Sequence, residues 1–185
     1  MGCGVTVNIV RTWQGVVEQG TILMREVERL RRELNATLEG DPWYGLAVLR
    51  ILESLDASAA AAHPVHGAHS IWELVAHMTA WVNETNLRLR GGPHGDPREG
   101  DWPAVASTTP DSWSAACSAL RQAHADLART LTAIDDPDLG RQIAGAQVDA
   151  AGQPVTFYQT AVGLLQHDAY HAGQIALLKK ALGIA

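Results

Sequence analysis

The chain has 185 residues, 46% of them apolar and only 5% aromatic, with a formal charge of −6, so one domain with a sizeable core is expected. The acidic balance, without any basic cluster, argues against nucleic acid as a partner, and no apolar run reaches the roughly 18 residues that a membrane span needs. Alanine and leucine dominate and β-branched runs are scarce, which favours an all-α fold.

Residues 1–20 read as a tail in which Val5–Val10 suits either a short strand or a disordered segment; residues 21–185 form the single domain. Cys3 and Cys117 stand alone, which fits a reducing cytoplasm better than a disulfide scaffold. The first helix is expected from Ile22 to Leu38, with Leu23, Val27, Leu30, Leu34 and Leu38 as its apolar seam and Arg and Glu on the other sides. After a turn at Gly40–Gly45, a shorter helical stretch runs from Leu46 to Ala62, with a break near Asp56. His63, His66 and His69 follow at three-residue spacing in a loop with Pro64 and Gly67. Histidine-rich tracts can bind metal, but Pro and Gly make this one a poor rigid site; His69, nearest the next helix, is placed to line a pocket.

Ser70 and Glu73 form a capping box that opens a helix reaching Arg90, with Ile71, Leu74, Val75, Met78, Trp81, Val82 and Thr85 as its buried stripe. His77 lies at the edge of that stripe. The segment from Gly91 to Thr108 is rich in Gly and Pro and, extended, spans roughly 60 Å, against about 30 Å for a 20-residue helix. It can therefore cross the whole bundle, so that the helices on either side run parallel. Thr109-Pro110 opens the next helix, to Ile134, whose seam includes Trp113, Cys117, Leu120, His124, Leu127 and Leu131. His124 points inward and is a candidate fourth metal ligand. Asp135–Pro154 is a connector with a turn at Ala151-Gly152, suited to a small hairpin over the bundle end.

Thr156 caps the last helix, which ends with Lys179 and Lys180 in its final turn and Gly183 to close it. At about 100° per residue, Thr160, Leu164, His167, Tyr170, His171, Gln174 and Leu178 share one face. Histidines four apart on a buried face carry rings roughly 6 Å apart, close enough to share one ion. A bundle places such sites inside, with ligands from facing helices, and His77 is the best third ligand. Tyr170 and Gln174, beside the pair, are candidates for steadying developing charge. Asp168 and Glu73 fall away from the inferred centre, so no carboxylate base is assigned.

Two segments, Ser70-Ile-Trp-Glu-Leu-Val-Ala-His77-Met-Thr-Ala-Trp81 and His167-Asp-Ala-Tyr-His171-Ala-Gly-Gln-Ile175, together resemble the DinB/YfiT superfamily. The resemblance covers about Ile22 to Gly183, and Pro42-Trp43-Tyr44-Gly45 fits one branch of it. It implies an up-down-down-up four-helix bundle with a long crossover, and one divalent metal held by three histidines that map onto His77, His167 and His171. Zinc or nickel heads the metals that imidazole suits. It implies either a transferase that joins a low-molecular-weight thiol, such as bacillithiol or mycothiol, to a small-molecule electrophile, or a metal-dependent hydrolase of a small substrate. A non-catalytic metal-binding stress-response protein is the third reading. A homodimer is expected both from the resemblance and from Trp13, Trp43 and Trp102, which lie in segments read as tail or loop.

Overall fold

The computed structural model describes residues 24–146, 148 and 151–184, and the architecture of these is all-α. The expected tail, Trp13 and the first seam residue Leu23 lie outside the described residues. Helix α1 spans Glu26–Leu38, so it starts later than Ile22. Its start is set from elsewhere in the chain. The Asp136 carboxylate accepts the Glu26 and Val27 amide N–H groups at 2.9 and 3.0 Å, and these bonds hold its carboxyl below the usual range. The stretch expected over 46–62 is two helices, α2 Val48–Leu52 and α3 Ala57–Ala61. Asp56 divides them because its side chain accepts the Ala59 N–H at 2.8 Å and starts a new helix.

Helices α4 Ile71–Leu89, α5 Pro110–Thr132 and α6 Phe157–Ala181 begin at the expected caps Ser70, Thr109 and Thr156. The described residues thus form six α-helices, of which the four long ones make the bundle. Helix α4 packs against α5 and α6, and α1 packs against the same two, which leaves α1 and α4 at opposite corners. A 3₁₀ turn at Asp136–Gly140 and two isolated antiparallel bridges, Gln142 with Thr156 and Val148 with Pro154, cover one end; the chain turns at Ala151-Gly152. No described helix is long and apolar enough to cross a membrane.

Two apolar clusters fill the bundle. One holds Leu38, the α2 and α3 side chains, Ile71, Met78, Trp113, Leu120, Ala172 and Leu178. The other holds Val27, Leu34, Val82, Leu89, Leu127, Leu131, Phe157 and Leu164. Buried polar groups gather at the seam: Thr37 lies between Leu34 and Leu38, His124 between Leu120 and Leu127, and Asp168 between Leu164 and Ala172. On the α4–α6 side, His77 and His171 continue this layer.

Both α4 and α5 begin in the first cluster and end in the second, so the segment joining them travels back along the bundle. Its path is pinned. The Arg88 guanidinium, paired with Glu84 at 2.8 Å, donates to the Gly95 carbonyl at 2.5 Å, and the His94 N–H donates to the Ala144 carbonyl at 2.7 Å. Farther on, the Trp81 indole N–H donates to the Asp101 carboxylate at 2.7 Å. These bonds lay Asp101 and Trp102 against the middle of α4, next to His77.

Candidate metal centre

The three predicted histidines meet. His77 from α4 places its Nε2 2.9 Å from the His167 Nε2, and the His171 Nε2 lies 3.1 Å from the same atom. The one-turn spacing on α6 brings the His167 and His171 ring centroids to 4.4 Å. His77 and His171 are buried and His167 is half-buried.

The outer nitrogens decide what the inner ones can do. The His77 Nδ1 lies 2.6 Å from the Asp101 carbonyl oxygen, which can only accept, so Nδ1 carries the proton. The His171 Nδ1 lies 2.6 Å from the Gln174 amide oxygen, which likewise accepts. Both Nε2 atoms are therefore bare and direct their lone pairs toward the His167 Nε2. A single proton on His167 cannot serve both neighbours well; a cation can serve all three. Nitrogens sharing an ion at about 2.0–2.1 Å stand about 2.9–3.4 Å apart for angles from right to tetrahedral. The observed separations fall in that range, and the donor set fits a divalent metal. Burial holds all three imidazoles below their ordinary pKa, His171 down to about 4, so each is neutral at pH 7 and ready to ligate.

Three neighbours escaped the sequence reading. The first is the Asp101 carbonyl, invisible to any side-chain motif. The second is Trp102, whose indole stacks on His77 at 3.9 Å and on His69 at 3.5 Å, nearly parallel to both. Two parallel rings cannot share one indole face, so Trp102 lies between the two imidazoles. It borders the cleft next to His171 and stays 38% exposed. The third is Asp168. It falls away from the metal side, as expected, but its carboxylate reaches behind His167, with Oδ1 3.6 Å from the His167 Nδ1. Its other oxygen is 3.3 Å from the His124 Nε2. Asp168 is fully buried, and desolvation pushes its carboxyl up to about 7. His77 and His171 thus each have a hydrogen-bond acceptor behind them, a carbonyl and an amide oxygen, whereas His167 has a carboxyl nearby but beyond hydrogen-bond distance.

Other candidates lie apart. His124 does not join the cluster, because α5 stands diagonally from α6 and its ring meets Asp168 instead. His63 and His69 both approach Glu73, at 3.0 and 3.6 Å, while His66 is exposed, so the loop histidines share no common centre. Glu73 is engaged by the Ser70 N–H at 2.7 Å and faces that loop. Burial pushes the Cys117 thiol up to about 11, consistent with a packing role. Beside the three histidines opens a cleft of about 380 Å³, bordered by His69, Trp102, Tyr170, His171 and Gln174. Tyr170 stands at its mouth, 64% exposed, with its ring 5.1 Å from that of His171.

Two outcomes follow for the isolated protein. Gln174→Ala should weaken zinc binding about 10–100-fold, the usual cost of losing a residue that orients a ligating histidine, and His171→Ala should weaken it further; competition with a chromophoric chelator measures both, and circular dichroism should show the helices intact. The second outcome concerns pH. His77, His124, His167 and His171 all have folded pKa values below the unfolded one, so below about 6.5 the unfolded chain binds more protons and stability falls with pH. Asp168, raised to about 7, contributes in the opposite sense as pH rises, but it is one group against four. The chelator-treated protein should melt at a lower temperature at pH 5 than at pH 7, and a flat or inverted profile by scanning calorimetry would contradict this.

A family model for the DinB superfamily matches residues 47–175, a span that contains all three histidines. No curated protein matches the sequence. Among solved structures, the crystal structure of a conserved protein from Enterococcus faecalis is similar in fold, with a TM-score of 0.61 at 15% identity, covering 85% of this chain and 97% of that one. At that identity the likeness concerns the fold alone. With the family match spanning well over half of its length, the chain belongs to the DinB superfamily.

Proposed function

We propose that this DinB protein binds one divalent metal through His77, His167 and His171 and catalyses attack of a low-molecular-weight thiol on a small electrophile. The observation that carries the reading is the meeting of three imidazole Nε2 atoms, those of His77 and His171 bare, next to a cleft that His171 borders, with no fourth His, Cys, Asp or Glu joining them among the described residues. A structural zinc site closes with four protein ligands; three leave room for a reactant. The proposed bundle runs up-down-down-up, supported by the shared direction of α4 and α5 and the long segment between them.

When bound, zinc or nickel would supply a positive centre that favours a thiolate over a thiol. The chain's own groups do the rest. The Asp101 carbonyl and the Gln174 amide oxygen keep the protons of His77 and His171 on Nδ1, which leaves Nε2 free. Trp102 keeps water off one face of His77. Tyr170, at the cleft mouth, donates its hydroxyl to charge developing on the electrophile, and Gln174 donates from its amide nitrogen. A hydrolase would need a base; the Asp101 carboxylate lies on the Nδ1 side of His77, 3.4 Å from that nitrogen and away from the point the three Nε2 atoms share, which leaves that second reading without one.

The test is an assay of zinc- and nickel-loaded protein with bacillithiol, mycothiol, glutathione and coenzyme A against a model electrophile. Turnover should require a thiol and drop to the uncatalysed rate in His167→Ala. Cleavage that needs water but no thiol would replace this reading with the hydrolase, and absence of any turnover would leave metal binding alone.

We also propose self-association, in a cytoplasmic protein, through the surface around Trp43, which is fully exposed beside exposed Tyr44 and Leu46. Light scattering should give a dimer mass that Trp43→Asp converts to a monomer; a monomer mass for the unaltered protein at high concentration removes the proposal.

A further inference from the structure

The cleft beside the three histidines has a chemical character of its own. Val65, Leu74, Trp102, Leu177 and Leu178 supply its apolar walls, and among the described residues no Lys, Arg, Asp or Glu lines it. Four large apolar side chains that folding leaves in solvent stand around it: Val65 at 41%, Trp102 at 38%, Tyr170 at 64% and Leu177 at 65% exposure. Exposed apolar surface concentrated at one concavity marks a binding site more strongly than the same residues scattered. The volume, about 380 Å³, is at the small end of the range for small-molecule pockets, about 300–1,000 Å³.

Charge around the cleft narrows the occupant. Asp101 sits behind His77, and Glu73 lies 3.6 Å from the His69 Nδ1, so the carboxylates flanking this region are negative and already engaged. The lysines at the end of α6, Lys179 and Lys180, border a different groove, with Tyr44 and Leu46. With no metal bound, an anionic ligand entering the cleft would shed water and meet no cationic side chain among the described residues, a loss that uncharged molecules avoid. The indole edge of Trp102 is held by its two flanking rings and cannot swing aside without breaking both stacks, which favours a flat body over a bulky one.

We infer that this cleft binds the body of an uncharged, flat, apolar small molecule and rejects anionic analogues of the same shape. Its role as the electrophile's subsite rests on the proposed function; its selectivity does not.

The test uses chelator-treated protein, in which no bound cation attracts the sulfonate, and two probes of one shape, 2-naphthalenemethanol and 2-naphthalenesulfonate, titrated by calorimetry. The alcohol should bind at least about tenfold tighter than the sulfonate, the scale expected for a charge desolvated without a partner. Leu177→Lys, a change at an exposed position, should raise sulfonate affinity and shrink or invert that ratio. Leu87→Lys, at an exposed α4 position outside the cleft, should change neither. Equal binding of the two probes, binding of neither, or a ratio untouched by Leu177→Lys would overturn the inference. Zinc content, measured by atomic absorption on a separately loaded and dialysed sample, separates the two claims. Selective binding without retained zinc upholds the cleft and removes the metal reading. Retained zinc without selectivity does the reverse.

Discussion

Three neutral imidazoles in the seam of a helical bundle turn bare nitrogens toward one another, and the rest of the structure is arranged around that arrangement's cost. The bare His77 and His171 Nε2 atoms both face the His167 Nε2, at 2.9 and 3.1 Å, and one proton there satisfies only one of them. Burial removes the simplest remedy, since it opposes protonation of each ring. The hydrogen bonds behind His77 and His171 fix the tautomer that makes the clash. A divalent ion turns the same geometry from repulsive to favourable, which is why the donor set, and not the fold, carries the functional argument.

The apolar clusters on either side hold the rings in place at some expense. A continuous apolar core would be simpler, yet a polar layer of Thr37, His124 and Asp168 divides this one. The Asp168 carboxyl oxygens find no hydrogen-bond partner among the described residues, although His124 and His167 both lie close by. A carboxyl placed there costs desolvation and gains its use behind a ligating histidine. The segment between α4 and α5 completes the site from outside: Asp101 fixes the tautomer of one ligand and Trp102 covers its face. Helices thus set two sides of the three-histidine cluster and an irregular segment sets the third, and the same segment borders the cleft next to His171.

Much of this was legible in the sequence because it depends on local chemistry. Apolar spacing marked the four long helices, and Ser70, Thr109 and Thr156 marked their starts, since a cap is a side chain bonding an amide two or three residues away. The i, i+4 spacing of His167 and His171 placed two rings on one side of α6 without tertiary information. What could not be read was settled by distant contacts. The start of α1 depends on Asp136, 110 residues away from Glu26 in sequence. The part played by Asp101 belongs to its backbone carbonyl, which any residue could offer. Trp102 looked like loop surface because nothing in its neighbourhood reveals that His69 and His77 would enclose it. His124 had the right periodicity for a ligand and the wrong corner of the bundle.

The central claim is that His77, His167 and His171 ligate one metal ion through Nε2. X-ray absorption at the zinc edge of the loaded protein tests it most directly. The account predicts three imidazole nitrogens at about 2.0–2.1 Å from a single zinc, reduced to two in His77→Ala. Zinc bound without imidazole ligands, or an unchanged imidazole signal in that variant, would contradict it.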